Sequence, residues 1–319
     1  MKRIRVTVPA TTANFGSGFD CLGSALKLYN IVECELHDRT INSVFNIDIE
    51  GEGEATLPRD KSNIIVQTME YIFNKLKYKH LYKKMRIKLI NNIPIARGLG
   101  SSASIRIAGI IIANILCNNK LTDNEIISIA TKLEGHPDNV VPAMFGGLCL
   151  SYHKLQYRNK KESDIGFFKL EMPDDIVALF CIPEFELKTT DARKILPKKI
   201  DMGSAVFNSS RVGLFIYSIL QKKYDLLKIA MEDRIHQEYR MKLIPGMKEI
   251  FNSINFSDIL GIALSGSGPT IMALCKKDEV DYDKIGRNIQ EIFSKYNIRS
   301  KYNVINFDNK GAKIHIEKK

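Results

Sequence analysis

Pro94-Ile95-Ala96-Arg97-Gly98-Leu99-Gly100-Ser101-Ser102-Ala103-Ser104 is the stretch that decides the fold. Before it, Met85 to Ile90 alternates apolar and polar residues as a strand does. After it, Ser101 to Cys117 is apolar almost throughout, which predicts a buried helix. Strand, glycine loop and helix start thus follow one another without a break. Glycines let backbone N–H groups curve around an anion, and the first turn of a helix adds unpaired donors and the positive end of its dipole. This order of residues points to a phosphate-binding loop; the plainer reading is a glycine turn closed by a serine cap. No Gly-x-x-x-x-Gly-Lys-Ser/Thr pattern occurs, so this is not a Walker loop, and the protein-kinase signatures are missing too. Arg97 is read either as a phosphate contact or as a surface arginine.

Working outward, Ile4, Val6 and Val8 alternate with Arg5 and Thr7 as in a half-buried strand, and Gly16, Gly18 and Gly23 mark a turn before more strand ending near Leu36. From Ser62, Ile65, Met69, Ile72, Phe73 and Leu76 recur at helical spacing, which predicts a helix of about four turns. Thr122-x-x-Glu125 is a capping box opening a second helix, with Ile126, Ile129, Ala130 and Leu133 on one side and Glu134 at its end. Between Tyr152 and Asp164 the chain turns polar and basic, so a boundary is expected near residue 160, dividing it into domains 1–160 and 161–319. Beyond it, helical patterns at Ser209 to Leu220, Asp225 to Tyr239 and Asp281 to Tyr296 intermix with strand patterns at Ile176 to Ile182, Gly261 to Cys275 and Tyr302 to Phe307. The class is α+β in two domains.

A chain of 319 residues, 45% apolar and 26% charged, has the composition of a folded globular protein rather than a disordered or coiled-coil one. Its net charge of +11 favours anionic partners. The basic clusters at Lys75 to Lys88 and Lys154 to Lys161 lack interleaved aromatics, so they read as solvated surface and no nucleic-acid partner is expected. Six scattered cysteines without a Cys-x-x-Cys pair read as buried free thiols. No long apolar signal core follows Met1-Lys2-Arg3. Ile105 to Cys117 is interrupted by Arg106 and Asn114 and is too short to span a bilayer, so no membrane partner and a cytoplasmic location are expected.

The loop string is similar to the phosphate motif of the GHMP small-molecule kinases. Two further stretches agree with that resemblance: Pro9-Ala10-Thr11-Thr12-Ala13-Asn14-Phe15-Gly16-Ser17-Gly18-Phe19-Asp20 near the start, and Leu264-Ser265-Gly266-Ser267-Gly268-Pro269-Thr270 near the end. Within that superfamily, Glu134-Gly135-His136-Pro137-Asp138-Asn139, together with the amino-terminal motif, resembles the homoserine kinases. The resemblance implies an amino-terminal domain with a left-handed βαβ unit and a ferredoxin-like carboxy-terminal domain. It implies ATP across Pro94 to Ser104, with Asn63 near the adenine or serving only as a helix cap. Mg2+ would sit by Ser102 and Glu134.

The acceptor implied is L-homoserine, a small zwitterion. By motif matching, Asp20 takes its ammonium, Arg193 and Arg240 its carboxylate, Thr189 lies on the substrate side, and Asn14 and His136 add hydrogen bonds. Planar guanidinium forks suit a carboxylate. Asp138 stands either as the base that takes the hydroxyl proton or as an organiser of the acceptor. A homodimer is also implied. The readings that compete are another GHMP kinase, acting on mevalonate, an isoprenoid precursor or a sugar, and a basic RNA-binding module.

Overall fold

Alternating apolar residues at Ile4, Val6 and Val8 form the inward row of a long first strand, β1 (Lys2–Asn14), which pairs antiparallel with β2 (Gly18–Leu36) along its whole length. In this computed structural model, residues 2–37, 46–79, 81, 85–155, 162–253 and 259–318 are described. After β2 come β3 (Asn46–Gly51), α1 (Ile64–Leu76), β4 (Met85–Asn91), α2 (Ser101–Leu116), α3 (Asp123–Glu134), α4 (Val140–Phe145), β5 (Leu148–Leu155) and β6 (Glu162–Leu170). β3 and β4 are parallel and joined through α1, a βαβ unit. The sheet runs β3, β4, β2, β1 and then β11 (Lys313–Lys318), the last strand of the chain, with β5 and β6 attached to the far part of β2.

The helices cover this sheet because their apolar positions recur on one side. In α1 the residues Ile65, Met69, Ile72 and Phe73 are buried, as the spacing predicts. Thr122 and Glu125 form the expected capping box of α3, each side chain bonded to the other's backbone N–H. Helix α2 is apolar on all sides and lies between α1, α3 and β1, where every residue from Ala103 to Leu116 is buried except Arg106.

The second layer contains β7 (Ile176–Pro183), α5 (Thr189–Lys194), α6 (Met202–Leu220), α7 (Leu227–Ala230), α8 (Gln237–Arg240), α9 (Met247–Ser253), β8 (Gly261–Leu264), β9 (Ile271–Lys276), α10 (Tyr282–Lys295) and β10 (Ser300–Asn306). Its sheet is antiparallel in the order β10, β7, β9, β8, and helices intervene between β7 and β8 and between β9 and β10. That is the ferredoxin-like arrangement.

Three expectations differ from what is observed. The strand beyond residue 160 pairs back onto β5, so the larger sheet continues to Leu170 and regains β11 at the chain's end; residues 156–161, including most of the basic stretch from Lys154 to Lys161, lie outside the described residues. Helix α6 starts at Met202, earlier than its pattern suggested, because Asp201 accepts the Ser204 N–H as a cap while Met202 and Val206 stay exposed and give no apolar periodicity. The helical pattern from Asp225 to Tyr239 is broken. There the Asp233 carboxylate accepts the backbone N–H groups of Ile235, His236 and Gln237 at 3.0, 2.8 and 2.7 Å, which diverts the chain from a continuous helix.

Five of the six cysteines are buried and free, and Cys21 is half-buried with its thiol pushed up to about 12 by burial and then by the charges of Asp138 and Asp20. Asn208, within a glycosylation-like triplet, is buried and bonded to Ser17 and Asp233. Among the described residues no helix is long and apolar enough to cross a membrane.

Candidate active site

The three quoted motifs converge where the two sheets meet. Thr11 donates its N–H to the Leu99 carbonyl at 3.1 Å, and Gly266 donates to the Ala13 carbonyl at 3.1 Å. The Ser265 hydroxyl lies 2.9 Å from Thr12 Oγ1 and 2.7 Å from the Gly98 carbonyl. Between these contacts opens a cleft of about 560 Å³, a size typical of small-molecule sites.

One end of the cleft is formed by the glycine loop. Gly98 and Gly100 both have positive φ (76° and 69°), and Gly100 is the residue before α2, with no side chain to cap the helix. The first-turn N–H groups of α2 therefore have no intrahelical acceptor. A Cβ on Gly100 would lie 1.9 Å from Thr11 Oγ1, so the loop's own packing excludes any other residue there. Pro94 to Ser102 line the cleft, whereas Ala103 and Ser104 are fully buried behind it. Ser104 is engaged structurally: its hydroxyl bonds the Ser101 carbonyl and accepts from Asn30, which in turn accepts the N–H groups of Asn92 and Ile93. Asn30 thus ties the loop's beginning to the helix start, a role that nothing local in the sequence signals.

Asn63 caps α1 and lines the cleft as well, so its two readings are compatible. Arg97 turns onto the carbonyls of Ile95 and Glu184. At the base of the loop the Ser102 hydroxyl donates to Glu134 Oε2 at 2.8 Å, and Arg106 Nε donates to the same oxygen at 2.7 Å.

At the other end, charged side chains dominate. Asp20 and Arg193, 173 residues apart in sequence, form a two-pronged pair at 2.6 and 2.9 Å. Burial opposes the charge of Arg193, yet the hydrogen bond and charge of Asp20 hold its pKa above the ordinary value. Arg240 is 1% exposed and has no ion-pair partner among the described residues; its guanidinium donates to the carbonyls of Ala192 and Gly266 and to His236 Nδ1. Burial, and next the positive charge of Arg193, lower its pKa to about 10. Phe19 lies beside both arginines, its ring centre 5.5 Å from Arg193 Cζ and 5.3 Å from Arg240 Cζ.

His136 donates from Nδ1 to Asp138 Oδ1, and both are buried. Burial works against protonation of His136, but the charge and hydrogen bond of Asp138, helped by Asp20 and Glu134, outweigh it and raise the pKa. Asn14 is occupied at both ends of its amide, donating to Gly266 and accepting the Asp20 N–H, so it fixes the position of Asp20. Thr189 lies 3.3 Å from Ser267 through their hydroxyls.

Asp20, His136 and Asp138 could gather a cation by distance, with ligand atoms within 4.8 Å of one another. Asp20 is bonded to Arg193 and Asp138 to His136, so both carboxylates already have side-chain partners. His236 is a functional neighbour that pattern reading missed. It is fully buried, donates from Nε2 to the Gly16 carbonyl, and is kept neutral by burial and by Arg240 against the pull of Asp233. Its neutral Nδ1 can then accept from Arg240. Only the break in the helix near Asp233 could have drawn attention to it.

Comparison with known proteins gives the family of the chain. Residues 63–147 match the family model of the GHMP kinases N terminal domain, and 215–295 match that of the GHMP kinases C terminal. The homoserine kinase of Caldicellulosiruptor saccharolyticus is 40% identical over 98% of this chain and 96% of its own. That of Persephonella marina is 39% identical over 99% of both chains. The crystal structure of homoserine kinase from Cytophaga hutchinsonii superposes with a TM-score of 0.80 at 30% identity, covering 98% of this chain and 97% of that one.

Proposed function

The chain belongs to the homoserine kinase family of the GHMP kinases, and we propose from that membership and the cleft that it transfers the γ-phosphoryl group of ATP to the hydroxyl of L-homoserine. The products are ADP and O-phospho-L-homoserine, in the cytoplasmic synthesis of threonine. The observation that carries this reading is one cleft lined by a helix-start glycine loop and by a carboxylate and two arginines, the charges that an amino-acid zwitterion would answer.

Phosphoryl transfer needs alignment and charge compensation more than covalent help. The Pro94 to Ser102 loop receives the phosphates on backbone N–H groups. Ser102 Oγ and Glu134 supply adjacent hard oxygen donors, a set that fits Mg2+. Bound there, Mg2+ would neutralise phosphate charge.

At the acceptor end, Asp20 and Arg193 hold each other in the absence of substrate. A zwitterion inserts without changing the charge count: its ammonium goes to Asp20 and its carboxylate to Arg193 and Arg240. That exchange also eases the repulsion from Arg193, which adds to burial in depressing Arg240. Asp138, held by His136, accepts the hydroxyl's hydrogen bond and points its oxygen at the phosphoryl group. The bond from His136 fixes the direction of the Asp138 carboxylate, so the role assigned to Asp138 is orientation.

The test is ATP-dependent ADP release with homoserine, mevalonate, galactose, serine and threonine as acceptors. Turnover with homoserine, at least tenfold above every other acceptor, is the expected result, since each alternative misplaces a charge or the hydroxyl and tenfold is about 1.4 kcal/mol. Turnover confined to mevalonate or galactose overturns it.

A further inference from the structure

Helix α2 carries one charged residue, and its position calls for a reason. Around Arg106 the helix is buried on every side, and an arginine at 17% side-chain exposure in such a helix costs free energy unless its charge is used. Arg106 spends Nε alone on Glu134 Oε2. Its two Nη groups, with four N–H donors between them, have no hydrogen-bond partner among the described residues, and the side chain lines the cleft. Of the other cations that line the cleft, Arg97 is committed to the carbonyls of Ile95 and Glu184, Lys188 is exposed at the start of α5, and Arg193 and Arg240 stand at the acceptor end. The backbone of the glycine loop offers dipoles, and the loop's one cation, Arg97, is engaged by carbonyls.

We propose that Arg106 is the protein's cation for the terminal phosphoryl group of the nucleotide triphosphate. Through Nε it holds Glu134 in place, and through its Nη groups it receives the γ-phosphate oxygens. The inference deepens the kinase reading and rests on it. Two consequences follow from the geometry: Arg106 senses the third phosphate, because ADP carries nothing for the Nη groups to meet, and it acts whether or not a divalent cation is present.

The experiment measures equilibrium binding of ATP and of ADP, each with EDTA and with Mg2+, to wild type, Arg106→Met and Arg106→Lys, together with thermal unfolding and single-turnover rates. Methionine keeps the stem's length and apolar character while removing the charge. In Arg106→Met, ATP binding in EDTA should weaken by about tenfold or more while ADP binding stays within about twofold, because only the charged contact to the third phosphate is lost. The chemical step should slow on the order of 10²-fold or more. Arg106→Lys should recover part of the ATP preference. An unchanged ratio of ATP to ADP affinity in Arg106→Met overturns the proposal. So does an equal loss for both nucleotides accompanied by a lower unfolding temperature, which marks a purely structural arginine. A wild-type protein that binds neither nucleotide overturns the kinase reading itself, and the inference with it.

Discussion

Around Gly98 to Ser102 the groups offered to a ligand belong mainly to the backbone, whereas around Asp20, Arg193 and Arg240 they belong to ionised side chains. The first end is held by tight packing: Gly100 sits against Thr11, Gly98 against the Ser265 carbonyl, and Asn30 pins the helix start. The second is held by paired ionisable side chains, Asp20 with Arg193 and Asp138 with His136, while burial depresses the pKa of Arg240, which has no ion-pair partner among the described residues. Changes to the packed backbone of the loop should therefore register in stability, and changes to the ionised side chains of the cleft in binding and chemistry.

The largest effect that sharpens this contrast is expected from Asp138→Asn. As an organiser, Asp138 should cost up to about 10²-fold in the chemical step, the low end of the roughly 10² to 10⁴ that loss of a general base brings. The same substitution removes the main cause that raises the His136 pKa, so the imidazole should lose its proton at lower pH than in wild type. For a raised histidine the stabilising contribution is complete below the ordinary value and fades as pH rises through the folded one. Following the His136 resonance against pH checks the shift. A rate loss of 10³-fold or more with intact homoserine affinity would make Asp138 a base and break the account of this end.

A smaller effect, of the opposite kind, is expected from Gly100→Ala. Its positive φ and the 1.9 Å approach of a Cβ to Thr11 Oγ1 predict a loss on the order of 2 kcal/mol in folding stability. Denaturant unfolding reads it directly. Full stability with ATP affinity abolished would mean that the glycine serves ligand approach and not packing, and the contrast between the two ends would fail.

Local signals were legible in the sequence where one residue and its near neighbours suffice to specify structure. The Thr122 capping box, the α1 spacing and the loop from Pro94 are of that kind. Features made by distant parts of the chain were not. Asp20 and Arg193 were each assigned to a substrate charge by motif, but their mutual pairing arises only when the fold brings α5 beside the start of β2. Asp233 looked like an ordinary helix residue, and its capture of three N–H groups, which places His236 under Arg240, depends on Asn208 and Ser17 beside it. Arg106 registered as an interruption of an apolar run. Its meaning depends on Glu134, which a different helix supplies.

The central claim is that the acceptor end reads both charges of an amino acid, and the most direct test is the specificity constant for L-homoserine against the same alcohol lacking its carboxylate and the same alcohol lacking its ammonium. Each truncated acceptor leaves one side of the Asp20, Arg193 and Arg240 cluster uncompensated in a partly dry pocket, at a cost of about 2 to 5 kcal/mol, or roughly 30-fold to several thousand-fold. Losses of that size for both, with ATP affinity unchanged, are the predicted result. Comparable turnover of all three acceptors would contradict the account.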